Sequence, residues 1–487
     1  MDRTSGQSKA YGVASRLRQP AWYWSLAFLV AGFYVATSLY IASQRLLWYD
    51  EISTAIITRL PDVRTIWKAL SEAADITPPL YFLVTRIFDQ MFRHNDLGMR
   101  VPSVIALGVG MLVTFDIARR LTDGLYGLIA MSFLTTSFVT YYGYEARSYA
   151  LYFMLAAVAL WLWAFTKDES KIAAAVFGAV FFIGVPLHYY FFLCLAPFGI
   201  LALAQRRIFH PKVIAGAAGV MCALAVLYPQ ISHSHAYGQS YGTWNQQSLP
   251  RLQLVYLEFF PDAVLPLVLT AVGLAVFCGP REHTVTPMSS GERVSWLFLV
   301  VPLVAYVVAR LVTNSFYNRY LIGAVPGIAV AVTCLFWRHC RDSSYLSLAL
   351  LVVFGGFGIS QQVRTLRHID HIPATLGDHQ QRTRQMLAME DTLQREGKRY
   401  FAVSWNLRFL EGWYYSKHPE QYEYFSTDPF MLGKFGALKR VWVEDIVANA
   451  RQTALIAPEP PLLEALERAG LHPRVRFAEP LYVVYLE

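Results

Sequence analysis

Long apolar runs, separated by short polar ones, fill the first three-quarters of the chain. Runs of spanning length fall at about 21–43, 99–118, 124–140, 149–166, 172–187, 188–204, 213–230, 263–279, 294–311, 320–337 and 343–360. Each is long enough, or nearly so, to cross a bilayer as a helix, so the pattern predicts about eleven transmembrane helices. Between the first two runs lies a more polar segment, 44–98. There the spacing predicts a helix through Ile52 to Arg59, an amphipathic stretch from Asp62 to Ala73, and a third helix. This last one enters at Pro78-Pro79 and runs to about Phe92 at the membrane interface. Beyond residue 360 the period changes. Short β-rich runs (Tyr400–Trp405, Arg440–Val443, Thr453–Ile456, Leu481–Tyr485) alternate with helical stretches such as Pro461–Ala469, the pattern of a small α/β domain. The expected organisation is a membrane module over 1–360, with the first loop 44–98, and a soluble domain over 361–487.

Composition agrees. Of 487 residues, 55% are hydrophobic and only 16% charged, which excludes an ordinary soluble or disordered chain. The formal charge of +8 belongs to residues 1–360, with 26 basic against 18 acidic, because residues 361–487 hold 16 of each. These cations lie between spans, where positive charge sets orientation, so the pI near 9 does not point to nucleic acid. The five cysteines lie inside or just beyond apolar runs, without a Cys-x-x-Cys pair, and read as membrane-core residues.

With the N-terminus inside, the inner loops and tail receive 15 of the 26 cations, Arg3, Lys9, Arg16, Arg18, Arg119 and Arg120 among them. Eleven fall outside, seven of them in the first loop and at Arg100 just past it, where length weakens the charge rule. The run after Arg18 is too long for a signal-peptide core and is expected to be a retained span. An odd number of helices puts the C-terminal domain outside.

Chemistry is concentrated at the outer ends. Trp48-Tyr49-Asp50-Glu51 puts two carboxylates directly after an aromatic belt, a costly position for charge. Two readings are open: Asp50 caps the helix that follows, with Glu51 favoured by its dipole, or the acids serve a site. The second outer loop, Tyr141 to Tyr149, holds Glu145 and Arg147 among four tyrosines; they either pair locally or face Asp50. His188 with Tyr189 and Tyr190, Arg310, and Asn318-Arg319-Tyr320 lie at further outer ends, and Arg86 lies in the interfacial helix. Arginine is the side chain expected where phosphate is held at a low-dielectric edge.

Trp48-Tyr49-Asp50-Glu51, Thr77-Pro78-Pro79-Leu80-Tyr81-Phe82, Arg100-Val101-Pro102-Ser103, Glu145-Ala146-Arg147-Ser148-Tyr149 and Arg319-Tyr320 together resemble membrane glycosyltransferases of the GT-C fold. In particular they resemble the dolichyl-phosphate-mannose-protein mannosyltransferases and the bacterial aminoarabinose transferase of lipid A. The chain departs in having Thr77 where relatives often have His, and Glu145 where some have Asp. The resemblance implies an inverting transferase that moves a sugar from a polyprenyl-phosphate donor to a hydroxyl of a glycolipid, cell-envelope glycan or protein. It implies an integral membrane protein, of a bacterial inner membrane, working at the extracytoplasmic face. By similarity Asp50 is the general base and Glu51 and Glu145 orient the acceptor. Arg147, Arg319, Tyr320, Arg86 and His188 contact the donor phosphate. A divalent metal ion on Asp50 and Glu145 is an option these residue types allow. The rival class is a transporter or flippase of a lipid-linked substrate, which would place its charges near the midplane.

Overall fold

The computed structural model describes residues 20–72, 74–241, 248–261, 287–313, 315–369, 379–425, 441–477 and 482–486, with positions 267 and 270. Apart from those two positions, the run expected at 263–279 lies outside the described residues, as do the cations Arg3, Lys9, Arg16 and Arg18. The chain divides into two compact units, 1–43 with 77–367 and 44–76 with 368–487. The loop expected as one piece of the membrane module therefore splits at Thr77, and its first part folds with the C-terminal domain. The bonds responsible join residues more than 300 positions apart, beyond the reach of any local pattern.

In chain order, α1 (Trp22–Gln44) is followed by α2 (Tyr49–Thr58) and α3 (Val63–Ser71), both of the second unit, and α4 (Pro79–Met91) returns the chain to the first. There follow α5 (Asp96–Leu121), α6 (Gly124–Leu134), the single turn α7 (Val139–Tyr142), α8 (Tyr149–Phe165) and α9 (Lys171–Leu187). Next come a 3₁₀ segment at Tyr189–Leu195, α10 (Ala196–Ala204), α11 (Pro211–Tyr241) and α12 (Leu249–Phe259). The late helices are α13 (Ser290–Leu297), α14 (Val301–Val308), α15 (Val325–Cys340) and α16 (Ser344–Arg367). The expected spans inside the described residues are mainly helical, that at 124–140 being broken by turns at 135–138, and among the described residues six stretches are long and apolar enough to cross a membrane. Several are interrupted. Prolines at 197, 302 and 326 sit at helix entries that follow 3₁₀ turns, because proline lacks the N–H that a continuing α-helix would use.

Polar residues act where backbone groups need partners. Asn95 and Asp123 cap α5 and α6. Buried Arg100 donates to the carbonyl of Ala42 in the last turn of α1 at 2.6 Å. At the far end of the unit the fully buried Lys212 ammonium donates to the carbonyls of Leu162 and Thr166, closing the C-terminus of α8. α9 and α11 meet backbone to backbone: a Cβ added at Gly178 would lie 2.8 Å from the Ala215 carbonyl oxygen, and one at Gly219 would lie 2.3 Å from that of Gly178. Small residues permit that approach, as expected between apolar helices.

The second unit carries a five-stranded sheet of β1 (Tyr400–Val403), β2 (Tyr422–Tyr424), β3 (Thr453–Ile456), β4 (Pro473–Phe477) and β5 (Val483–Leu486). The strand order is β2-β1-β3-β5-β4, with β2, β1 and β3 parallel and β5 and β4 added antiparallel. Helices α17 (His379–Arg395), α18 (Asn406–Tyr415), α19 (Val443–Ala448) and α20 (Pro460–Arg468) complete it. Ala402, Leu455 and Val484 of the sheet pack with Ile446, Leu462 and Leu466 of the helices. The sequence reading is corrected at Val443, which begins a helix, and Arg440 lies outside the described residues. It omits β2, only three residues long, and β4, an edge strand whose Arg474 and Arg476 face outward in the manner that blunts an exposed edge.

Candidate functional site

The chemistry-bearing residues form two groups, one in each unit. In the first unit, three of the sequence motifs are bonded to one another. Pro78 and Pro79 fix the entry to α4 and so place Thr77 just before its first turn. The Arg147 guanidinium donates to the Thr77 hydroxyl at 2.8 Å. Ser103 of α5 donates to the Arg147 carbonyl at 3.0 Å, and the Tyr81 hydroxyl lies 3.4 Å from that of Ser103. Arg147 and Glu145 are both buried, and the backbone N–H of Arg147 donates to the Glu145 carbonyl at 2.8 Å. Arg147 therefore reaches another segment, whatever else holds the loop.

An aromatic enclosure stands beside this network. The Arg319 guanidinium lies 4.8 Å from the ring of Tyr317, 5.7 Å from Tyr320 and 5.9 Å from Tyr149, within cation–π range. The His188 ring lies 5.0 to 5.5 Å from those of Tyr149, Tyr152 and Tyr320. His188 is buried, and its Nδ1 has no hydrogen-bond partner among the described residues. Glu145 and Arg147 stand four and two positions before Tyr149, whose ring lies beside both His188 and Arg319. Glu145, Arg147, His188, Arg319 and Tyr320 are thus gathered in one neighbourhood. Arg86, half-buried two turns along α4 from Pro79, joins it through none of these contacts, and Arg310 is exposed in a π turn.

In the second unit the two neighbouring acids take different parts. Of the two readings open for Asp50, the helix cap is not realised: α2 begins at Tyr49 with Trp48 in the N-cap position. Glu51, fully buried, folds back so that its carboxylate accepts the Trp48 N–H at 3.2 Å. A Glu at the third helical position reaches that N–H, whereas Asp50 is too near the start and too short. Asp50 is half-buried in the first turn of α2.

The chain entering α2 is clamped by the C-terminal domain. The Gln380 side-chain amide accepts from the Leu46 N–H at 2.9 Å and donates to the Leu46 carbonyl at 2.8 Å. The Tyr415 hydroxyl accepts the Leu47 N–H, and Arg59 at the end of α2 donates to the Tyr414 hydroxyl at 2.7 Å. Sequence reasoning missed Gln380, Tyr414 and Tyr415; a lone Gln and a Tyr pair carry no signal without the contact. Among the described residues, no group of three or more His, Cys, Asp or Glu could hold a metal ion.

The fold matches that of ArnT from Cupriavidus metallidurans in the apo state at a TM-score of 0.62, covering 95% of this chain and 97% of that one at 12% identity. The chain has the GT-C fold. ArnT from the same organism bound to undecaprenyl phosphate matches at a TM-score of 0.60, also at 12% identity, over 95% of this chain and 98% of that one. An Archaeoglobus fulgidus oligosaccharyltransferase in complex with Zn and sulfate overlaps more loosely, at a TM-score of 0.41 and 11% identity, over 78% of this chain and 61% of its own. The model of the dolichyl-phosphate-mannose-protein mannosyltransferase family matches residues 77–233. That stretch opens at Thr77, the residue at which the chain re-enters the first unit, and contains Arg147 and His188. No curated protein sequence matches the chain. The GT-C fold and its apolar helices make this an integral membrane protein.

Proposed function

We propose that the protein is an inverting glycosyltransferase that moves a sugar from a polyprenyl phosphate to an acceptor hydroxyl. We place the reaction at the extracytoplasmic face of a bacterial inner membrane. The observation that carries the reading is the neighbourhood of buried Arg147, half-buried Arg319 and the His188 imidazole with its open Nδ1. Two guanidinium groups held by a hydroxyl and by aromatic faces suit a phosphate whose charge grows as it leaves. The charge clusters at helix ends, which favours transfer over a midplane transport site.

In this reading Asp50 removes the proton from the acceptor hydroxyl as its oxygen attacks the anomeric carbon. The bond from that carbon to the phosphate oxygen breaks, the configuration inverts, and polyprenyl phosphate departs with its charge met by Arg147 and Arg319. Glu51 holds the turn that presents Asp50, Glu145 orients the acceptor, and Tyr320 and His188 line the phosphate end. Arg86 is assigned a weaker, peripheral contact. Undecaprenyl phosphate, named in the ArnT complex, is the lipid proposed for this chain. The acceptor proposed is a glycolipid or another cell-envelope glycan, because the compact C-terminal domain presents no peptide-binding repeat.

The test is incubation of purified protein with a polyprenyl-phosphate sugar and lipid A or a related glycolipid. Stoichiometric appearance of free polyprenyl phosphate and glycosylated acceptor is the expected result. Passage of the intact lipid-linked sugar across vesicles, with its phosphate bond unbroken, would overturn the reading in favour of a flippase.

A further inference from the structure

The two ends of the membrane unit differ in kind. Arg100 at the start of α5 bonds the end of α1, beside the neighbourhood of Arg147, while the start of α1 meets the end of α5 at the opposite face. There Trp24 packs edge-on against Phe115 with centroids 4.9 Å apart. A groove of about 300 Å³ opens at that end, lined by Trp24, Val109, Val113, Val158 and Trp161 and closed by Asp116.

Asp116 is a buried acid that organises two cations. One of its oxygens accepts two bonds from Arg119, at 2.6 and 3.2 Å. The other accepts Arg120 Nε at 2.7 Å and Trp161 Nε1 at 2.8 Å. Arg119 lies over the Trp24 ring and Arg120 over those of Trp161 and Phe165, so each cation caps one wall of the groove. Two arginines against one carboxylate leave a net positive charge at the polar end. The acid engages Arg120 only through Nε, and among the described residues the two terminal nitrogens of Arg120 have no hydrogen-bond partner. Arg120 is about one-third exposed, which leaves that fork open to a ligand.

We infer that this groove is a binding site for an anionic phospholipid of the inner leaflet, with an acyl chain between Trp24 and Trp161 and the phosphate on the open fork of Arg120. A slot that is apolar along its length and cationic at one end matches a molecule that is apolar along its length and anionic at one end. The charge distribution along the chain assigns this end to the inner face, where juxtamembrane arginines meet anionic headgroups. The site is separate from the proposed donor site and independent of that reading.

The experiment is native mass spectrometry of the full-length protein, delipidated and then given phosphatidylglycerol or phosphatidylcholine of matched chains. Wild type is expected to retain phosphatidylglycerol about fivefold more than phosphatidylcholine, the preference one arginine near a headgroup supplies. Arg120→Gln is expected to lose that preference while still holding lipid, and Val113→Trp to lose both lipids. If Val113→Trp is not monodisperse, Val109→Trp fills the groove from its more exposed wall. Equal retention of the two lipids by wild type, or an unchanged preference in Arg120→Gln, would overturn the site and leave only unselective lipid or detergent contact.

Discussion

Arg147 donates to the hydroxyl of Thr77 at 2.8 Å, across 70 positions of chain and between the two motifs that flank α5. A guanidinium held at one edge keeps its other nitrogens directed, so in the proposed site Thr77 orients the phosphate contact without touching phosphate. Thr77→Val is expected to raise KM for the polyprenyl-phosphate donor about tenfold, the worth of one hydrogen bond to a charged group, with kcat less affected. Arg147→Gln is expected to cost more, because the cation itself is lost. Steady-state kinetics against donor concentration separates the two.

Tyr415 and Gln380 hold the backbone that leads into the acidic turn. Tyr415→Phe leaves the Leu47 N–H without its acceptor and is expected to destabilise the C-terminal unit by about 1 kcal/mol. A purely structural role would stop there. If the clamp positions Asp50, kcat falls several-fold at temperatures where the variant is fully folded, while donor KM is unchanged.

These two relationships mark what a sequence can and cannot disclose. The spans, the entry of α4 at Pro79 and the amphipathic α3 are legible because helix period and proline are local; the structure adds that Asp62 caps α3 by accepting the Thr65 N–H. The motifs are legible as residue types, and the structure then joins Thr77, Ser103 and Arg147 by bonds that no spacing encodes. The division of the first loop at Thr77 was illegible, since it depends on Gln380 meeting Leu46 from 334 positions away. The cap reading open for Asp50 fails for a subtler reason: Asp is a preferred N-cap residue, but Trp48 takes that position and Glu51, three residues on, accepts the Trp48 N–H from inside the helix.

Glu51 and Asp50 are adjacent carboxylates with separable roles. Glu51→Gln retains an oxygen that can accept the Trp48 N–H, so a loss of no more than about 1 kcal/mol in stability is expected, from the weakened helix-dipole interaction. Asp50→Asn is expected to leave the melting temperature unchanged and to lower kcat by about 10²- to 10⁴-fold, the usual contribution of a general base. Thermal unfolding and single-turnover transfer, run on both variants, check the division.

In the C-terminal domain, burial raises the Glu390 carboxyl above the ordinary carboxylate range, against the lowering effect of hydroxyls donated by Tyr422 at 2.7 Å and Ser416 at 2.9 Å. A carboxyl whose folded pKa is raised binds its proton more tightly when folded. Its contribution to stability is full below the unfolded value and declines as pH rises through the folded one. Glu390→Gln removes that titration. The variant is expected to gain stability relative to wild type as pH rises from 4 to 7, and melting temperatures measured across that range test the sign.

The most direct test of the central claim is a structure determined with added undecaprenyl phosphate. The account predicts density for the phosphate within hydrogen-bond reach of Arg147 or Arg319, enclosed by Tyr149, His188 and Tyr320. Lipid found only along the outer helix surfaces, with both guanidinium groups engaged by protein alone, would contradict it.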